Sequence, residues 1–423
     1  MRILTARWVF PIARPPIRDG AVGIHAGRIV AVGPQADVAA ACAGGEHWDL
    51  GDAAVLPGLV NCHTHLEIGS NPSGDPAESF VPWVQRVIEK RKGVALEEQA
   101  RTAEAGAWAL LRSGATSVGE VSTTGQSLAP LLRVGLRGVV YREILGLDPA
   151  EAADRLAAAA ADLHTMAAAA HGSRLAIGLS PHSAYGLSEK LLSACGSLAR
   201  QTGVPPAIHA AESPAETEFL ATGEGPIARS LYPAVGCAVP PPRRRARSPV
   251  AYLAATGALR ERPVLIHAVH VDEADCRLMA RHGAQVAHCP RSNQRLSEGT
   301  APVPLMRGHG IPVALGTDSL ASAPDLDLWG EMRAAWAAHA AGLKPAAVLE
   351  MATLSGARAL GMADRVGTLE IGKRADVIAV AAARVTASDP VGSLLETTRG
   401  EDVLLVLIDG AVRHNRCEVP TCA

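Results

Sequence analysis

The sequence has no surplus of either charge, no long apolar run and no paired-cysteine motif, and each absence removes a class of protein. Across 423 residues, 40 Lys and Arg stand against 42 Asp and Glu, a formal charge of −2 with both signs interspersed. That balance leaves no electrostatic footprint for nucleic acid or an anionic membrane, so the expected partner is a small-molecule substrate. No stretch of about 18 uninterrupted apolar residues occurs, and no basic segment leads into an apolar one at the start. These features predict a soluble, cytoplasmic protein. The cysteines Cys42, Cys62, Cys195, Cys237, Cys276, Cys289, Cys417 and Cys422 are scattered without a CxxC pair. This excludes the compact disulfide framework of small secreted domains and points to reduced thiols.

What is present is an alternation. Eight apolar, strand-like segments recur: Val55 to His63, Thr116 to Ser122, Gly138 to Leu145, Leu175 to His182, Pro206 to Glu212, Val264 to Val271, Ala284 to Asn293 and Pro312 to Ser319. Ala- and Leu-rich helical stretches separate most of them, as in a parallel α/β barrel. His63, His182, Glu212, His267, Asn293 and Asp318 fall at or just past the carboxyl ends of segments. A (β/α)8 barrel carries its catalytic residues on that face, whereas an open doubly wound sheet would gather them at one switch point. The length suits such a barrel with a small added domain.

The flanks read as β structure. Gly20 to Gly33 alternates in short runs punctuated by glycine, with no helix expected before residue 54, and Val403 to Val412 holds a turn at Asp409-Gly410. Neither end alone offers enough strands for a stable sheet. The reading is therefore an N-terminal part (1–54) and a C-terminal part (366–423) of one β-sandwich, around a barrel at 55–365. The least regular stretch is Val239 to Pro249, with Arg243, Arg244, Arg245 and Arg247, read as a solvated basic loop rather than an anion clamp.

The chemistry starts at His63 and His65. Two residues apart on an extended strand, they point to one face and can grip one ion. His209 ends another strand, with Glu212 three residues later facing the same cavity and Glu216 reading as a first-turn carboxylate favoured by the helix dipole. Of His267 and His270, the first terminates the apolar run and is the catalytic candidate. Asp318 sits among small residues that let backbone approach closely; it can bind a metal and accept a proton, or merely cap the next helix. Trp83 can stack on a substrate ring or pack on the barrel. Arg142 can hold a substrate carboxylate or pair with Glu143 or Glu120.

Pro57 to Glu67 (PGLVNCHTHLE), His209 to Glu212 (HAAE), His288 to Asn293 (HCPRSN) and Gly316 to Ser319 (GTDS) resemble the amidohydrolase superfamily, in its branch of mononuclear deaminases and chlorohydrolases. The resemblance spans nearly the whole chain. It implies a distorted (β/α)8 barrel with a small β-sandwich from both termini, a metal held by His63, His65, His209 and Asp318, proton handling by Glu212 and His267, and a substrate-facing His182. Binuclear relatives bridge two ions with a lysine from strand three or four; no lysine lies between Lys92 and Lys190, so one divalent ion is expected, zinc first and iron second.

The implied reaction is hydrolytic deamination. A bound zinc lowers the pKa of its water from about 16 to about 7, Asp318 takes the proton, His267 orients the attacking oxygen and Glu212 protonates a ring nitrogen. The loop after His65 and the stretches around Gly114 and Tyr141 look most like aminodeoxyfutalosine deaminases. Methylthioadenosine, adenosylhomocysteine and guanine-type substrates stand behind that candidate. The alternatives are a triazine-type chlorohydrolase or N-alkyl amidohydrolase, and a silent scaffold, which would have lost an acid-base residue. A homodimer is common in the resembling family.

Overall fold

The computed structural model describes residues 1–70, 79–237 and 244–417. Eight strands form the barrel, numbered here in chain order: β1 (Leu59–Thr64), β2 (Ala115–Ser122), β3 (Arg137–Ile144), β4 (Leu175–Pro181), β5 (Ala207–Ala210), β6 (Val264–His267), β7 (Gln285–His288) and β8 (Val313–Leu315). They pair in parallel as two four-stranded sheets, β1 to β4 and β5 to β8. Single bridges close the ring: Leu179 to Pro206 and Ser183 to His209 on one seam, Thr64 to Asp318 on the other. The barrel is thus distorted, with both seams held by isolated pairings.

Alternation along the strands fills the interior. Val60, Val121, Val139, Tyr141, Ala207, Val264, Ile266, Ala287 and Ala314 are all buried in one apolar cluster. Helices such as Leu96–Arg112, Ala152–Ala170 and Glu189–Thr202 cover the outside and bury Leu110, Leu163 and Leu191 in the larger core. Among the described residues no helix is long and apolar enough to cross a membrane. The seven described cysteines, from Cys42 to Cys417, are free thiols; Cys422 lies outside the described residues.

Both termini build one eight-stranded mixed sheet, in which Ala53–Pro57 joins the N-terminal strands to Val377–Ala381. The expected hairpin turns at Asp409 and Gly410, both with positive φ (49° and 72°). Two expectations are corrected. A helix does occur before residue 54, at Gln35–Ala41, where the Gly/Ala composition masked it. The expected strand from Val55 to His63 is two strands broken at Gly58, the first half pairing in the terminal sheet. A Cβ at Gly58 would lie 2.1 Å from the Thr116 hydroxyl, so only glycine lets the chain pass from sheet to barrel there. Of the basic loop, residues 238–243 lie outside the described residues. Arg244 pairs with Glu189 at 2.9 Å, and Arg247 with Asp272 at 2.8 Å and Asp275 at 2.6 Å.

Candidate metal centre

The closed seam between β1 and β8 sets the first ligands. Thr317 and Asp318 donate their backbone N–H groups to the His63 carbonyl at 3.0 and 3.1 Å. The Thr64 hydroxyl donates to the Asp318 carbonyl, and the Asn61 amide to the Thr317 hydroxyl at 2.7 Å. Gly316 makes this approach possible, because a Cβ there would lie 2.8 Å from the His63 Cβ. The small residues before Asp318 thus serve strand-to-strand contact.

His63, His65, His209 and Asp318 are buried together. Asp318 Oδ1 lies 3.4 Å from His63 Nε2 and 4.0 Å from His65 Nε2, and His65 Nε2 lies 3.2 Å from His209 Nε2. His209 Nδ1 donates to the His182 carbonyl at 3.0 Å, which leaves its Nε2 as the lone pair facing the cluster. Asp318 Oδ2 accepts from the Ser292 and Ser322 hydroxyls, both at 2.7 Å, so Oδ1 is the oxygen left for the histidines. Both nitrogens of His63 and Nδ1 of His65 are buried without a hydrogen-bond partner. Imidazole lone pairs converging on one another and on a carboxylate, with no donor between them, make a cluster that could hold a divalent cation.

Beside this cluster His267 and Glu212 face each other. His267 Nδ1 lies 2.9 Å from the Asn293 side-chain oxygen, which accepts its proton and turns Nε2 toward Glu212 Oε1 at 3.4 Å. Burial, then Asp318, Glu298 and Glu216, push the Glu212 carboxyl well above the usual range. Asp318 goes the other way: burial raises it, but the His63 contact and the charges of His267 and His65 outweigh that and hold it well below. Burial lowers His63, His65, His209 and His267. The two carboxyls are thus pushed in opposite directions, the pattern of a proton donor and a proton acceptor sharing one site.

Backbone strain gathers at the same place. Ala211, His267, Ala268 and Asp318 adopt positive φ of 53°, 71°, 48° and 56°. Each such residue costs about 1–3 kcal/mol and persists where the surroundings over-determine it. Ala211 and Glu212 are held by Glu216, whose carboxylate accepts the Glu212 N–H at 3.0 Å. Glu216 caps this turn from the first turn of Pro214–Thr222, as its position in the sequence implied.

Of the residues expected to touch substrate, His182 is brought in: its ring stacks 4.9 Å from His209 and its Nδ1 meets the Ser183 hydroxyl at 2.8 Å. Trp83 lies in Phe80–Arg91, packed against Phe80 and donating its indole N–H to the Ala321 carbonyl at 3.2 Å, three residues past Asp318. Arg142 is corrected. Its side chain leaves the barrel interior, pairs with Asp162 at 2.8 Å and donates to the Thr123 carbonyl at 2.7 Å. Strand alternation explains this, because Val139 and Tyr141 face inward and put Glu143, not Arg142, on the inner side. His270 lies outside the cluster, as expected.

Sequence reasoning missed Glu143, Ser322 and the orienting roles of Ser292 and Asn293. The last two sit in the HCPRSN motif, which was a signal; Glu143 and Ser322 carried none beyond their residue type.

A parallel barrel that gathers four histidines and two carboxyls at its strand ends is the architecture of a metal-dependent hydrolase. The chain belongs to the amidohydrolase family, whose profile matches residues 54–413. It is 34% identical over 407 residues to a 5-methylthioadenosine/S-adenosylhomocysteine deaminase of Syntrophobacter fumaroxidans, covering 92% of this chain and 87% of that protein. An adenosine deaminase from Xanthomonas campestris, solved with bound zinc, superposes with a TM-score of 0.83 at 26% identity, covering 100% of this chain and 94% of that one. The aminofutalosine deaminase of Helicobacter pylori, in complex with methylthio-coformycin, shares the fold with a TM-score of 0.88 at 22% identity, over 97% of this chain and 100% of that one.

Proposed function

We propose that this amidohydrolase is a metal-dependent deaminase that releases ammonia from an adenine-containing nucleoside. The observation that carries the reading is the pairing of a raised Glu212 carboxyl with a depressed Asp318 carboxylate, with His267 beside both. Aminodeoxyfutalosine, methylthioadenosine and adenosylhomocysteine are the substrates of choice. The loop after His65 supports the first, and the relative at 34% identity supports the other two.

His63, His65, His209 and Asp318 would hold one divalent ion, zinc first. When bound, that ion makes water acidic enough to supply hydroxide at neutral pH. The protein's own groups do the rest. Asp318 Oδ1 faces the histidines and is the acceptor for the proton released by water. His267, with Nδ1 fixed on Asn293, presents Nε2 to the attacking oxygen. Glu212, its carboxyl pushed up by burial and by Asp318, delivers a proton to a purine ring nitrogen, drawing electrons from the carbon under attack. A carbon–oxygen bond forms, the carbon–amine bond breaks, the proton gathered by Asp318 leaves with the amine as ammonia, and the proton of the new hydroxyl returns to Glu212 as the oxo group forms.

The test is to incubate the zinc-loaded chain with adenosine, methylthioadenosine, adenosylhomocysteine, aminodeoxyfutalosine and a chlorinated and an N-alkylated triazine, following ammonia, chloride and alkylamine. Ammonia and the 6-oxo product from at least one nucleoside are expected. Turnover of triazines alone, or of nothing in the panel, overturns the reading.

A further inference from the structure

Around the metal cluster, two buried atoms without a partner are chemically complementary: Nδ1 of His65 and Oε1 of Glu143. If His65 Nε2 serves a cation, its ring proton must sit on Nδ1, and a buried N–H needs an acceptor. Glu143, near the end of β3, brings a carboxylate oxygen within 4.8 Å of ring nitrogens of both His182 and His209. The His65 ring stacks on that of His209 at 5.3 Å, so the three rings and the carboxylate form one packed group. Oε1 is sealed from solvent, which rules against a substrate hydroxyl and for an internal donor.

The neighbouring carboxylates are already committed. Glu120 accepts the Leu66 N–H at 3.1 and 3.0 Å with its two oxygens. Glu67 takes the Ser122 hydroxyl and the backbone N–H groups of Thr123, Thr124 and Ser127. Glu143 uses only Oε2, which accepts from the Thr123 hydroxyl at 2.7 Å. Thr123 is itself pinned by Glu67 at its N–H and by Arg142 at its carbonyl. Arg142 and Glu67 therefore aim Glu143 without touching the cluster.

We infer that Glu143 is the positioning residue of His65, accepting its Nδ1–H in the ion-loaded protein and fixing the tautomer and ring angle of that ligand. The inference rests on the reading that the cluster holds a divalent ion. Glu143 is not itself a ligand of a second ion, because His209 has one nitrogen on the His182 carbonyl and the other on the first cluster.

The experiment titrates the chelator-stripped full chain with Zn2+ against a competing chelator. Loss of such a partner weakens affinity by about 10–100-fold. Glu143→Ala should show that loss, Glu143→Gln less of it because its amide oxygen still accepts, and Thr123→Val a smaller loss than Glu143→Ala. On 15N-histidine-labelled, zinc-loaded protein, the slowly exchanging Nδ1–H signal of His65 should survive in Glu143→Gln and vanish in Glu143→Ala. If Glu143→Ala fails to fold, the other two variants decide. Affinity within about twofold of the parent in all variants overturns the inference alone. So does a second ion that Glu143→Ala loses. A parent chain that takes up no ion overturns both this inference and the proposed function.

Discussion

In the proposed reaction, protonation at single residues sets the pH behaviour. Glu212 must be protonated to donate, and its folded pKa is raised by burial and by the charges of Asp318, Glu298 and Glu216. Activity that depends on it is therefore present below the raised pKa and is lost as pH rises through it. Glu212→Gln should lower kcat by about 10²–10⁴-fold, the usual contribution of a general acid, and its remaining rate should lack that alkaline limb. A pH series of ammonia release on parent and variant measures both; a variant with the parent's limb would assign the limb to another group. His63, His65, His209, Glu212, His267 and Asp318 were legible from residue type and strand-end position. Arg142 was left open between a substrate contact and an ion pair, because its inward or outward direction depends on β3's register, which the local sequence does not fix.

Elements determine how these residues are held. The helix Pro214–Thr222 begins with Ser213 as its cap and presents Glu216 from its first turn to the strained Ala211–Glu212 backbone. Burial pushes Glu216 up from 4.5 to about 8. The unfolded chain ionises near 4.5 while the folded chain keeps the proton, so this group's contribution to stability is full below about 4.5, falls as pH rises, and levels off above about 8. Glu216→Gln should therefore lose less stability than the parent between pH 5 and pH 8. Urea denaturation of the metal-free protein at the two pH values checks this, and equal losses would refute it. All eight expected barrel segments contain a strand: three match within one residue, and the last four end two to five residues early. The break at Gly58 was not legible, because what forbids a side chain there is Thr116, a residue distant in sequence.

At the scale of the molecule, the barrel divides its work between its two ends. Arg137 opens β3 at the end opposite the cluster, and its guanidinium is buried between Asp376 at 2.8 Å and Asp409 at 2.8 Å, tying the barrel to the terminal sheet. Removing one partner of a buried ion pair costs about 3–5 kcal/mol. Arg137→Ala should lower the denaturation midpoint accordingly while leaving zinc affinity within about twofold of the parent. A matching fall in affinity would mean that the terminal sheet shapes the site as well as the stability. The joining of the two termini was legible, since neither end had strands enough to stand alone.

By itself, the sequence determined the barrel and singled out His63, His65, His209, Glu212, His267 and Asp318, because period-two burial and polar strand ends are local patterns. Only the tertiary structure decided which oxygen of Asp318 faces the histidines, since Ser292 claims the other from the helix Pro290–Arg295 and Ser322 from the turn after β8. It also decided that Glu143 rather than Arg142 turns inward, and that Gly316 serves the approach of β8 to β1. Those outcomes depend on which distant side chains meet when the sheet closes, and closure is a property of the whole ring.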